Sequence, residues 1–141
     1  MLIKPIVEQL IDQSYFTEVR ASKAIPSLDD LKSPTSAVIL PICYLLPVKD
    51  GGAGISADNR PKQAITSTYS FCIIAKAGDF HTLDEPPMTE AKEKLIEALM
   101  GFSISPLYES MSFVRGQYHE SNKQYESWVF EFEATRTFRK A

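Results

Sequence analysis

Residues 63–76, QAITSTYSFCIIAK, decide the fold of this chain. Tyr69, Phe71, Ile73 and Ala75 fall on one side of an extended backbone, while Thr66, Thr68, Ser70 and Cys72 fall on the other. Strict period-two alternation of aromatic and β-branched residues predicts a strand with one face buried. A second stretch, 128–138 (WVFEFEATRTF), repeats the pattern on a larger scale. Trp128, Phe130, Phe132, Ala134, Arg136 and Phe138 share one face, and Val129, Glu131, Glu133, Thr135 and Thr137 share the other. Met111, Phe113 and Arg115 alternate with Ser112, Val114 and Gly116 upstream, and Ser121-Asn122-Lys123 supplies turn residues, so the C-terminal third reads as a hairpin. Strands that are apolar on one side and polar on the other suit an antiparallel sheet covered on a single face.

The cover is predicted from two helical stripes. Met88, Ala91, Lys92, Leu95, Leu99 and Phe102 recur at helical spacing after the Pro86-Pro87 pair, with Glu90, Glu93, Lys94 and Glu97 outward. Gly101 stands where a left-handed residue ends a helix. Near the N-terminus, Leu2, Ile3, Ile6, Val7, Leu10 and Ile11 form a second stripe, with Pro5 in the first turn. Between the helices, Tyr15–Arg20 reads as a short strand and Ile25–Leu31 as a helical turn. Ser36–Pro41 reads as a buried strand closing on proline, which cannot donate to a ladder. From about 48 to 62 the composition changes to Lys49-Asp50-Gly51-Gly52-Ala53-Gly54 and beyond, a predicted flexible loop. The expected fold is α+β: one domain over 1–141, a mostly antiparallel sheet with helices on one face. Its expected core is Phe71, Leu95, Leu99, Phe102, Trp128, Phe130 and Phe132.

Composition narrows the function. The 141 residues fit one domain, and a formal charge of −3 argues against a basic face built to hold nucleic acid. The longest uncharged apolar stretch, 37–48, holds two prolines and is shorter than the roughly 20 residues a spanning helix needs. Lys4, Glu8 and Asp12 interrupt the first apolar pattern, so no signal-peptide core is expected there and a soluble protein is. Cys43 and Cys72 each sit in an apolar run without histidines or further cysteines nearby, which points to buried thiols rather than to zinc or a disulfide framework.

Signs of chemistry are few. Asp79, His81 and Asp84, with Glu85, could supply carboxylates and an imidazole to a metal, but the spacing matches no ligand motif and a solvated loop explains it more simply. His119 reads as a turn residue beside Glu120. There is no Gly-x-Ser-x-Gly, and no Gly-Lys-Ser/Thr follows the glycines at 51–54. Aromatic residues at alternate strand positions read as core, since a base-stacking platform comes with clustered basic residues. The expectation is a protein without catalysis or cofactor.

The order of landmarks resembles the phage tail terminator-like family of long-tailed phages and prophages. An apolar strand closes at Pro41, and a polar loop holding Asn59 leads to Gln63 and the Tyr69–Ile74 strand. A helix then ends Leu99-Met100-Gly101-Phe102, where the family tends to have tryptophan after the glycine. Gly116 follows in a strand, and Trp128-Val129-Phe130-Glu131-Phe132 lies in the terminal one, so the similarity runs from about Phe16 to Phe138. It implies a virion structural protein, assembled in the host cytoplasm and forming a homo-oligomeric, hexameric ring at the head-proximal end of the tail tube. Such a ring ends tube polymerisation and meets the neck or head-completion protein, while genome DNA passes through unbound and no membrane is involved. Another neck or tail-completion subunit is the nearest alternative. Residues expected at assembly contacts are Gly51, Gly52, Gly54, Asn59 and Arg60 in the loop, and Glu131 and Glu133 on the polar strand face.

Overall fold

The computed structural model describes residues 3–31, 41–52, 62–78 and 85–139. Along the chain run α1 (Lys4–Gln13), β1 (Glu18–Ala21), a single 3-10 turn (Leu28–Leu31), β2 (Ile42–Leu45), β3 (Lys49–Gly52), β4 (Lys62–Lys76), α2 (Pro87–Leu99), β5 (Ser112–Ser121) and β6 (Tyr125–Arg139). Six strands form one sheet in the order β1-β2-β4-β6-β5, and β3 also pairs with β4. Only the β1–β2 pair is parallel. This is the expected α+β architecture.

The frame is the pairing of β4 with β6, in unbroken antiparallel register from Lys62 opposite Arg139 to Lys76 opposite Tyr125. Because side chains alternate, this register places Tyr69, Phe71, Ile73 and Ala75 on the same face as Phe130, Phe132 and Ala134. Both helices cover that face. Ile6 and Leu10 of α1, and Met88, Ala91, Leu95, Ala98 and Leu99 of α2, are buried against it. Phe71 and Phe113 each meet the Phe132 ring edge to face, at 5.7 and 5.4 Å between centroids. Each large side chain buried here contributes about 1.5–3 kcal/mol. Gln9 and Gln13 tie the helix pair together by donating Nε2 hydrogens to the Ala98 and Lys94 carbonyls, at 3.0 and 2.7 Å. The Ala98 carbonyl lies in the last turn of α2, where no intrahelical partner exists.

Phe71, Leu95, Leu99, Phe130 and Phe132 are buried as expected, whereas Phe102 and Trp128 are only half-buried at the margin of the core. Trp128 stacks on Phe130 at 6.1 Å and meets Tyr118 edge-on, near the beginning of β6, where part of the indole is left to solvent. Lys92 is exposed rather than on the inner stripe, because Met88, Ala91, Leu95 and Ala98 define a stripe that excludes it. Gly101 takes the left-handed conformation (φ 80°) that a helix exit favours. Its N–H donates to the Met111 carbonyl at 2.8 Å, and the Met111 N–H donates to Phe102 at 2.9 Å, so the end of α2 is sewn to the entry of β5.

Two segments depart from the sequence reading. The strand expected at Ser36–Pro41 lies outside the described residues apart from Pro41, and the observed strand begins just after it, at Ile42. Pro41 instead lends its carbonyl to the Thr17 N–H and hydroxyl, both at 2.9 Å. The beginning of the expected loop, Lys49–Gly52, is strand β3. Leu45 stands opposite Phe71 and Lys49 opposite Thr68, so Leu46, Pro47 and Val48 span two residues of β4, a bulge that accommodates the missing N–H of Pro47. Remaining length on β4 then recruits the Lys-Asp-Gly-Gly segment despite its poor strand propensity, with the Ser67 hydroxyl donating to Asp50 at 2.6 Å.

Candidate assembly surface

On the face turned away from the helices, the register lines up polar rows across the sheet. One row runs Lys49, Thr68, Glu133, Ser112, and the neighbouring row runs Ser70, Glu131, Arg115. A third joins Gly51, Thr66 and Thr135, whose hydroxyls lie 3.0 Å apart. Two carboxylates therefore occupy the middle strand, with a cation on β3 to one side and a cation on β5 to the other. Arg115 Nε contacts Glu131 Oε2 at 3.0 Å, with the arginine 66% and the glutamate 28% exposed. Glu133 has no ion pair among the described residues. Being half-exposed, the Arg115–Glu131 pair adds little to folding, about 0–1 kcal/mol, and chiefly sets the charge pattern of the surface.

Of the residues anticipated at assembly contacts, Gly51, Glu131 and Glu133 are brought together on this face, and Gly52 follows on β3. Gly54, Asn59 and Arg60 lie outside the described residues. Lys49, Arg115, Thr66 and Thr135 complete the surface and were not singled out from sequence. Thr66 and Thr135 stand out as alternating strand residues, but Lys49 read as loop, and Arg115 read on the Phe113 face, from which the bulge between Phe113 and Arg115 turns it. Which rows they join depends on register between strands distant in the chain. Lys49, Asp50, Gly51, Gly52, Thr66 and Thr68 line a shallow open groove of about 420 Å³. Glycine and threonine make its floor, with Lys49 and Asp50 beside them among the described residues.

The sheet edges are short or irregular. β1 and β3 have four residues each. β5 is bulged at two places, between Phe113 and Arg115 and between Tyr118 and Glu120. Gly116 sits between the bulges, and a Cβ there would lie 2.7 Å from the Phe130 ring, so glycine is what lets that ring lie across β5. Bulges and shortness discourage indiscriminate pairing while leaving backbone groups at defined places.

Asp79, His81 and Asp84, the metal alternative, lie outside the described residues. Among the described residues no group of three His, Cys, Asp or Glu side chains is placed to hold a metal ion. Cys43 and Cys72 are free and buried. Cys43 packs in the main core and Cys72 in the smaller cluster on the opposite face, although their strands are neighbours. Burial pushes both thiols up, Cys72 to about 12 with the Glu120 carboxylate adding to the effect, and Cys43 further. Neither is poised as a nucleophile. Among the described residues, no helix is long and apolar enough to cross a membrane.

No family model matches the sequence. No curated protein matches it either. Among solved structures, the chain is similar to one from the virion of a native gene transfer agent particle, with a TM-score of 0.58 and 17% identity. The match covers 94% of this chain and 92% of the other. At that identity the likeness is one of fold, and it extends over nearly the whole of both chains.

Proposed function

We propose that this protein is a structural subunit of a phage-like virion. Within that class we infer a tail terminator: copies close into a ring, hexameric in the resembling family, at the head-proximal end of the tail tube. The ring stops tube growth and presents a surface to the neck or head-completion protein. The observation that carries the virion reading is the end-to-end fold likeness to a virion chain; the terminator role within it rests on the resemblance of the sequence landmarks.

The physical character of the subunit supports it. A closed ring needs contacts between two different surfaces of identical copies, related by a rotation that closes. The outer face, with Glu131 and Glu133 between Lys49 and Arg115, is polar enough to stay soluble before assembly and patterned enough to set register afterwards. Each copy brings a charge of −3, so a ring of them repels phosphate and lets DNA pass without holding it. In this reading the protein has no catalytic step, and its place is the virion.

Light scattering and negative-stain electron microscopy of the purified protein, with and without tail tube protein, test the proposal. Rings that grow in with concentration and cap tube ends are expected. A monomer at every concentration, indifferent to tubes, would overturn it.

A further inference from the structure

A smaller apolar cluster on the outer face is sealed differently from the main core. Cys72 and Ile74 of β4, with Leu46, form its floor, and Tyr44, Tyr125 and Val129 surround them. Leu28, from the 3-10 turn, closes it and is 2% exposed. Among the described side chains of residues 22–31, Leu28 alone is buried, while Ser27 and Asp29 on either side are exposed and Ile25 is half-buried. Among the described residues, one polar contact holds the turn to the body of the fold: the Leu28 N–H donates to Glu120 Oε1 at 2.8 Å. The segment is anchored where it leaves β1, through the Ser22 N–H to the Leu45 carbonyl at 2.9 Å.

Glu120 reaches Leu28 only because of the second β5 bulge. Tyr118 pairs with Trp128, on the helix-covered face. In regular register His119 would then oppose Ser127, and Glu120 would return to the helix side with Glu126. The extra residue at His119 makes Glu120 the partner of Ser127, which shares the outer face with Val129. The bulge thus turns a carboxylate toward the turn, and the Ser127 hydroxyl, bonded to the Glu120 carbonyl at 3.4 Å, helps hold it there.

We propose that residues 22–31 act as a strap that lifts from the sheet as a unit, without unfolding the main core, and so uncovers Leu46, Cys72, Ile74 and Val129. Among the described side chains, buried Leu28 and half-buried Ile25 on the cluster, one charge-assisted hydrogen bond and a 3-10 turn, whose internal bonds are poorly aligned, hold the strap closed. Two helices and the aromatic rows of β4 and β6 hold the main core. Segments with so few attachments open independently of global unfolding. This inference does not rest on the ring reading, since a monomer would show it equally.

The two cysteines provide the test. Cys72 lies under the strap, and Cys43 lies in the main core as an internal reference. N-ethylmaleimide labelling of the native protein at neutral pH, with each site followed by peptide mass, should find Cys72 reacting at least about tenfold faster than Cys43. Glu120→Ala should speed Cys72 by about a further tenfold and leave Cys43 unchanged. Glu120→Gln removes the charge beside the thiol but keeps an oxygen acceptor, so it should accelerate Cys72 much less. Leu28→Ala should accelerate it most. Equal rates at the two sites in the unmodified protein would overturn the strap. So would variants that move both sites together, or a Glu120→Gln effect as large as that of Glu120→Ala, which would mark the response as one of charge alone.

Discussion

The two faces of the central sheet are made from alternate residues of the same two long strands, yet they follow different rules. The inner face is filled by rings and aliphatic chains: Tyr69, Phe71 and Ile73 from β4, Phe130 and Phe132 from β6, all at most 1% exposed. The outer face divides in two, with Cys72, Ile74 and Val129 under a single turn and rows of threonine, serine, glutamate and arginine beyond it. The difference teaches that one face determines what the chain folds into, and the other what the folded chain can meet. Changes on the inner face should act on stability, and changes on the polar rows should act on association.

The sharpest attempt to break that division is Phe132→Ala. It removes the ring that both Phe71 and Phe113 meet, and should cost about 3–5 kcal/mol in urea unfolding, enough to unfold a marginal domain. A loss no larger than that of a surface substitution would mean the inner face is not the core of the fold. Gly116→Ala comes next. Its methyl group would press into the buried Phe130 ring, with an expected cost of about 1–3 kcal/mol measured the same way.

Alkaline pH probes both faces at once through their thiols. The Cys72 thiol is pushed up to about 12 from an ordinary 9.0, so the folded state keeps it protonated after the unfolded chain has lost its proton. Stability is then intact below about pH 9 and falls as the pH rises toward about 12, on the order of 1 kcal/mol per pH unit for each such group. Urea melts across this range should show the decline. Cys72→Ala should make it shallower without abolishing it, because Cys43 responds in the same direction.

Smallest in stability and largest in assembly should be the double substitution Glu131→Lys with Glu133→Lys. Half-exposed charges of this kind, the Arg115–Glu131 pair included, shift unfolding by about 1 kcal/mol or less. Reversing both carboxylates of the outer rows should nevertheless abolish ring formation in light scattering. Rings that persist unchanged would move the subunit contact off this face.

Much of this was legible in the sequence, for reasons that differ by element. β4 and β6 announce themselves because each alternates over many residues, and a one-residue slip between them would turn one aromatic row outward. α2 was legible from Met88, Ala91, Leu95 and Leu99, although Lys92 shows that near-helical spacing admits a residue the packing rejects. β2 was blurred because 37–48 is continuously apolar, and a run without alternation carries no phase by which to locate its ends. β3 was invisible. Lys-Asp-Gly-Gly is a strand only because unpaired length on β4 lies beside it, a tertiary cause with no local trace. Trp128 read as core because alternation assigns a face, not a distance from the edge. The candidate surface was half legible: Glu131 and Glu133 stood out as acids on a strand, whereas their row-mates Lys49 and Arg115 belong to other strands and join them only through register.

The place of β6 has a consequence for how the molecule is made. It follows every other described strand yet lies inside the sheet, between β4 and β5, and it carries Phe130 and Phe132 on one side and Glu131 and Glu133 on the other. Until residues 125–139 are made, β4 has no neighbour along one whole edge, and neither the Phe130 and Phe132 part of the core nor the two outer carboxylates are present. Closing the core and creating the outer rows are therefore one event that waits on residues 125–139, and a chain stopped before them lacks the two carboxylates of the proposed contact face.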